Sequence, residues 1–224
     1  MKLNEKQLQQ VKGYLNNKDV EYIDLHFEVL DHIASDIETK MEISSVDFET
    51  AFDIVKEKWN KNFSYKWSYW LGISNGGSKL FIDYCLRIYK PILFKSLLGL
   101  LIIPLCFYWF VGSSNLNLLQ YKFIINTFFN LFSVLYLLLL LFGNFQLKKT
   151  NFNSTYSYLF KKQVYSNLFL VFLFAVNSSF NSQEEFKYSK IIIFSSLISI
   201  LIMGFILYNN HFKAISNYKK YDLK

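Results

Sequence analysis

The sequence predicts an all-α membrane protein, with a cytosolic three-helix head followed by a bundle of four transmembrane helices. Two observations lead to this class: long runs without charge, and a segregation of charge along the chain. The 224 residues are 52% hydrophobic and 20% aromatic. Residues 1–60 carry thirteen acidic residues against seven Lys, whereas residues 61–224 carry four acidic residues against sixteen Lys and one Arg. An acidic segment therefore precedes a basic, apolar body.

Four apolar runs are free of charge over about the 20 residues that cross the hydrocarbon core of a bilayer. They lie at about residues 92–112, 123–144, 163–180 and 191–210, and the third is the shortest and most polar. We therefore predict a transmembrane domain at residues 91–210, preceded by a head at 1–62 and a linker at 63–90. A basic cytosolic tail follows at 211–224.

Lysine concentrates before the first predicted span, between the second and third, and after the fourth. These segments lie on one side of the membrane, so the positive-inside rule predicts that both termini face the cytoplasm. The basic cytoplasmic loop carries Lys148, Lys149, Lys161 and Lys162. We expect a multi-pass protein of the bacterial inner membrane, whose lysines contact anionic lipid headgroups. The polar N-terminus predicts no cleavable signal peptide. Nucleic acid is not an expected partner, because the chain has a single arginine and its lysines flank apolar runs.

Capping signals place three helices in the head. Asn4 with Gln7 resembles a capping box that begins the first helix. Asp19 is expected to cap the second helix, and Ser44 with Asp47 the third. Helical periodicity predicts an inward face on the second helix, consisting of Ile23, Phe27, Leu30, Ala34, Ile37 and Met41.

The linker combines aromatic residues with a glycine-rich stretch. Tyr65, Trp67, Tyr69 and Trp70 cluster as in the aromatic belt of a membrane interface. The stretch "SNGGS", residues 74–78, predicts a turn or hinge. A short helix at the membrane surface, or the start of the first span, is expected from residues 79–90.

The second helix also carries an acidic stripe, within the stretch "EVLDHIASDIETK". Three interpretations stay open: a metal site at Glu28, His32 and Asp36, a solvated face, or an interaction surface. No H-E-x-x-H motif or cysteine pairing supports metal, and exposed carboxylates lack the cleft that would tune them for catalysis. We therefore predict no enzyme activity and no cofactor, and favour an interaction surface. Its candidate residues are Asp24, Glu28, Asp31, His32, Asp36 and Glu38.

The predicted spans contain no Asp, Glu, Lys or Arg in their interiors, which argues against an ion-coupled transporter. Asn126, Asn130 and Ser133 form a polar line on the second span. Such a line favours helix packing over a substrate path. A small permease-like transport subunit is the alternative function.

The segment from about residue 8 to residue 60 resembles the N-terminus of a family of uncharacterised bacterial four-span membrane proteins. It is similar, more distantly, to the helical HAAS-type (permease-prefix-like) signalling domains. The matching positions are Glu28, Asp31, His32, Glu38 and Ala51. The resemblance implies a membrane-tethered regulatory module that acts in signalling through contacts with an unknown cytosolic or membrane protein. Docking of the head on its own basic loops and homo-oligomer formation stay open.

Overall fold

The structure is a computed structural model that describes residues 2–18, 20–71, 76–114, 117–176, 179–180, 183 and 185–222, without the side chains of 165–170, 174–176 and 221–222. The chain is mostly helical, as predicted. It divides into two compact units. The first comprises Met1–Ile88, Phe152–Thr155 and Lys213–Lys224, and the second comprises Tyr89–Asn151 and Tyr156–Phe212.

Three helices form the beginning of the first unit: α1 (Glu5–Asn16), α2 (Ile23–Ser44) and α3 (Phe48–Asn60). The predicted capping box at the start of α1 is confirmed, because Asn4 accepts a hydrogen bond from the Gln7 backbone and the Gln7 side chain accepts one from the Asn4 backbone. Two orphan N–H groups of the helix end are thereby satisfied.

The other two predicted caps have different outcomes. Asp47 caps α3 by accepting a hydrogen bond from Thr50 N at 3.4 Å. Ser44, predicted to share that cap, instead ends α2, because Ser45 turns the chain with a φ of 47°. Asp19 lies outside the described residues, and α2 begins at Ile23.

The hydrophobic core of the first unit shows that the predicted inward face of α2 was wrong. The buried residues of α2 are Leu25, Val29, Leu30, Ile33 and Ile37. They pack with Val11 and Leu15 of α1 and with Phe52 and Val55 of α3. Only Leu30 and Ile37 belong to both the predicted and the buried set. The buried face is rotated by roughly 80° around the helix axis from the predicted face. Apolar residues occupy two sides of α2, and α1 and α3 cover the side that the periodicity did not favour.

A short hairpin corrects the all-α prediction in the linker. Strand β1 (Tyr65–Trp67) pairs antiparallel with β2 (Gly76–Ser78), and Tyr65 lies opposite Ser78. The expected hinge at residues 74–78 is therefore partly a strand, and its first two residues lie outside the described chain. Backbone pairing satisfies N–H and C=O groups that a hinge would leave to water.

The remaining helices are α4 (Lys79–Ser113), α5 (Lys122–Lys149), α6 (Thr155–Val176) and α7 (Tyr188–Asp222). Within the described chain, α4, α5 and α7 are long and apolar enough to cross a membrane. The predicted third span, 163–180, overlaps α6, but several of its side chains lie outside the described part. Four spans therefore stay a prediction.

In the second unit, one aromatic ring fills a space left by two glycines. Phe160 of α6 is 4% exposed. A Cβ added at Gly143 of α5 would lie 2.8 Å from Phe160 Cζ, and one at Gly204 of α7 would lie 3.4 Å from Phe160 Cε2. The glycines thus let the backbones of α5 and α7 contact the ring, as small residues do between membrane helices.

We expect Gly143→Val to destabilise the second unit by about 1–3 kcal/mol, because the buried Phe160 ring cannot move aside. Thermal unfolding of the detergent-solubilised protein would measure this. Gly112→Val is the matched control, since a Cβ at Gly112 has no atom within 4 Å. Equal unfolding temperatures for the two variants would contradict the packing described.

Candidate interaction site

Asp24, in the first turn of α2, binds the segment between α5 and α6. Its Oδ1 accepts a hydrogen bond of 2.8 Å from Thr155 N, and Ile23 N donates one of 3.0 Å to Asn153 O. Thr155 is the first residue of α6, where backbone N–H groups have no acceptor within their own helix. A carboxylate there also complements the positive end of the helix dipole. Asp24 therefore caps α6 through the segment Phe152–Thr155, hereafter the connector.

Asp24 is not part of an outward stripe, contrary to its predicted position. Burial raises the pKa of its carboxyl above the ordinary 3.8, and this effect outweighs the hydrogen bonds from the backbone of Thr155 and Leu25, which lower it. The second oxygen, Oδ2, is buried and accepts no hydrogen bond in the described part of the chain. The contact with the connector therefore keeps a carboxylate out of water at a free-energy cost.

Aromatic rings extend this contact to the carboxyl-terminal segment of the first unit. The ring of Tyr218 lies 5.4 Å from that of Phe27 in α2 and 5.0 Å from that of Phe152 in the connector. Offset and edge contacts at such distances contribute about 0.5–1.5 kcal/mol each. The first turn of α2, the connector and Tyr218 thus form one packed cluster.

The residues of the alternative metal site contact separate partners. Glu28 forms an ion pair with Arg87 of α4, and its carboxylate lies 3.9 Å from His32 Nε2. The Asp36 carboxylate instead accepts hydrogen bonds from Lys58 Nζ at 2.8 Å and Trp59 Nε1 at 2.9 Å. Across the described residues, no three His, Cys, Asp or Glu side chains are grouped to hold a metal ion.

The remaining acidic residues differ in their exposure. Partial burial would raise the pKa of Asp36, but the hydrogen bonds from Lys58 and Trp59 prevail, so its pKa is lowered. Glu38 accepts a hydrogen bond of 2.9 Å from Leu3 N, which anchors the chain before α1. Asp31 is exposed, and the His32 side chain is 61% exposed. Asp31 and His32 are therefore the predicted surface residues most open to solvent.

A cleft of about 820 Å³ lies in the first unit, along α1 and α2. Its lining residues are Leu8, Lys12, Asn16, Val20, Glu21, Ile23, His26, Phe27, Glu28, Leu30, Asp31, Ala34 and Tyr218. Ile23, Phe27 and Ala34, which periodicity assigned to the core, line this cleft and are partly exposed. His26 is held beside it, with Nδ1 3.2 Å from Val20 O. Sequence reasoning missed the cleft, because its apolar side was assigned to the core.

The predicted basic loop contacts aromatic rings within the second unit. Lys149 Nζ lies 4.5 Å from the ring centroid of Phe145, and Lys162 Nζ lies 5.8 Å from that of Tyr158. Lys148 is exposed and Lys161 partly so. The lysines thus cover aromatic faces with their ammonium groups.

The three residues of the polar line on the second predicted span have different surroundings. Asn126 Oδ1 accepts a hydrogen bond of 3.1 Å from Ser179 N. Ser133 Oγ donates one of 2.7 Å to Asn130 O in its own helix. The Asn130 residue is exposed. The three side chains therefore do not share one environment.

A comparison of the chain with protein-family models, curated proteins and solved structures finds no match in any of the three. The resemblance to four-span membrane proteins and HAAS-type domains therefore stays a prediction from residues 8–60. The function has to be argued from the contacts of the chain itself.

We expect Asp24→Asn to be at least as stable as the wild type at neutral pH, because it keeps an acceptor for Thr155 N and removes a buried charge. Asp24→Ala leaves that N–H without its acceptor and costs about 1–3 kcal/mol. Thermal unfolding in detergent would measure both.

The same pair of variants tests the raised pKa of Asp24. A raised native pKa means that protonation stabilises the folded state at low pH. That stability is lost as the pH rises above 3.8 and through the pKa of Asp24 in the folded protein. Relative to Asp24→Asn, the wild type should therefore lose stability as the pH rises above 3.8. An Asn variant as unstable as the Ala variant would contradict the account.

Asp36→Ala should destabilise the first unit by about 1–2 kcal/mol, because the buried end of Trp59 loses its acceptor. Asp31→Ala on the same helix is the control and should change the free energy of unfolding by less than about 0.5 kcal/mol. Since the Asp36 pKa is lowered, its contribution is present above pH 3.8 and lost as pH falls through the native value. Urea unfolding at two pH values would measure both effects. An equal change in the free energy of unfolding for Asp36→Ala and Asp31→Ala would contradict this prediction.

Proposed function

We propose that this chain is a multi-pass protein of the bacterial inner membrane, whose amino-terminal three-helix domain acts in signalling or regulation through protein contacts. The observation that carries this proposal is the hydrogen bond between Asp24 and Thr155 N. The connector lies in the segment after α5 and includes the first residue of α6, and the first turn of α2 holds it. A displacement of the connector therefore has to be accommodated by α2, which gives a local physical route for a two-state change.

Exposed aromatic residues near the hairpin support a location at the membrane surface. Tyr69 is 77% and Trp70 60% exposed, and both precede the apolar run of α4. Such residues are typical of the headgroup level of a bilayer. The proposal includes four spans with both termini in the cytoplasm, supported by the distribution of lysine and by the length of α6. Anionic lipid headgroups are the proposed contacts of Lys148 and Lys161.

The partner surface of the proposal is the exposed side of α2, with Asp31 and His32. The other acidic residues of the predicted surface already serve structural contacts: Glu28 with Arg87, and Asp36 with Trp59. Those contacts orient α2 and leave Asp31 accessible. A small helical domain with an accessible charged face is suited to reversible, salt-sensitive association.

Transport is the weaker candidate. The polar residues that would line a substrate path are Asn126, Asn130 and Ser133. Asn126 accepts a hydrogen bond from Ser179 N, and Ser133 donates one to a carbonyl of its own helix. No contact in the described chain favours a path for a substrate over a packed helix interface.

Photo-crosslinking in intact cells would test the proposal. A photoreactive amino acid at Asp31 should give a discrete adduct with one cytosolic or membrane protein. The same residue at Glu57, exposed on α3, should not. Asp24→Ala should change the adduct yield, because α2 is then released from the connector. Identical adducts at both positions, or none at Asp31, would argue against an interaction domain.

A further inference from the structure

We propose that the cleft along α1 and α2 binds a basic amphipathic helix of a partner protein. This inference deepens the proposed function and rests on it, since it assigns the chemistry of the partner. The occupant follows from the shape of the apolar floor and the charge of the rim, considered in turn.

The apolar floor of the cleft has the length of a helix-binding groove. Ile23, Phe27, Leu30 and Ala34 follow spacings of four, three and four along α2, so they form one line. That line is about 17 Å long, or three helical turns. A partner helix that lies in a groove presents apolar side chains at i, i+3 or i+4, and i+7, which matches this length. The floor residues other than Leu30 retain partial exposure, so an occupant would bury further apolar surface.

The rim selects the charge of the occupant. Among the described residues that line the cleft, Glu21, Glu28 and Asp31 are acidic and Lys12 is the one lysine, and Arg87 already neutralises Glu28. An acidic rim favours lysine and arginine on the partner. It opposes binding to the anionic surface of the cytoplasmic leaflet. A basic, half-apolar helix therefore complements both the floor and the rim.

A small molecule suits the cleft less well, although the volume lies within the usual range for ligands. Ligand sites place convergent polar groups deep inside an apolar cavity. Here the charged groups lie at the exposed edge: Lys12, Glu21 and Asp31 are all exposed residues. The polar groups are therefore placed to meet charges on a macromolecular surface.

The groove is built into the fold. Leu25, Val29 and Ile33 fix a neighbouring side of α2 in the core, where they are at most 3% exposed. Tyr218 lines the cleft and also contacts Phe152 of the connector. An occupant that contacts Tyr218 would thus also act on the connector, which links occupancy of the cleft to the proposed regulation.

A peptide-binding experiment on the full chain tests the inference. The protein is placed in nanodiscs of neutral phosphatidylcholine, and the probe is a fluorescent synthetic helix of about five turns with leucine on one face and lysine elsewhere. Fluorescence anisotropy gives the Kd. Control probes have the same composition in a non-amphipathic order, or glutamate in place of lysine. Empty nanodiscs give the background from lipid.

The variants separate the cleft from the general charge of the head. Glu21→Lys with Asp31→Lys should weaken binding by at least about tenfold. Glu42→Lys with Glu57→Lys makes the same charge change at exposed residues outside the cleft and should alter the Kd by less than about twofold. Ala34→Arg, which fills the floor, should abolish binding. Equal weakening by both pairs, or equal binding of the non-amphipathic peptide, overturns the inference.

Three further outcomes bear on this inference and on the proposed function. If the peptide does not bind while the crosslink at Asp31 persists, the basic helix is wrong and the interaction domain stands. Light scattering could show a dimer that is lost in the variant with Glu21→Lys and Asp31→Lys. A second copy of the chain would then occupy the cleft, which also overturns the inference. Loss of both the crosslink and peptide binding would contradict both proposals.

Discussion

The hydrogen bond from Thr155 N to the buried carboxylate of Asp24 is the contact on which the position of the connector in the first unit depends. The first N–H groups of any helix need an acceptor from outside that helix. In α6 that acceptor comes from α2, which lies far away in the sequence. The companion bond from Ile23 N to Asn153 O and the ring of Tyr218 complete the cluster. The connector thereby becomes part of the same compact unit as the amino-terminal helices. A raised pKa at Asp24 indicates that this contact is made against a cost of desolvation.

The sides of helix α2 face three different environments, because apolar and acidic residues occupy several of them. Val29 and Ile33 face the core, Asp24 holds the connector, and Ile23 and Phe27 line the open cleft. A helix that is apolar on more than one side normally has more than one neighbour. The proposed basic helix would add a neighbour beside Tyr218, which already lines the cleft and contacts Phe27. In the proposed function, the side of α2 that is open to a partner is next to the side that holds the connector.

Much of the architecture could be predicted from local sequence, because local features obey local rules. The capping box of Asn4 and Gln7 needs only four residues, and apolar length predicts the helices that can cross a membrane. The buried side of α2 could not be predicted, because its pattern fits two faces and only α1 and α3 decide between them. The strand at Gly76–Ser78 has almost no β-propensity of its own and depends on pairing with Tyr65–Trp67. The role of Asp24 was also beyond the sequence, since its partner is 131 residues away. The spacing of Glu28, His32 and Asp36 left a metal site as one open interpretation. The partners of the two carboxylates, Arg87 and Trp59, lie on other helices, which the spacing could not predict.

Hydrogen exchange at the amide of Thr155 tests the central claim most directly, because that N–H is the donor to Asp24. The account predicts slow exchange in the wild type and in Asp24→Asn, where an acceptor oxygen remains. In Asp24→Ala the exchange of Thr155 should accelerate by at least about tenfold, while the amides of α3 keep their protection. Unchanged protection of Thr155 in Asp24→Ala would show that the connector is held by other contacts, and would contradict the account.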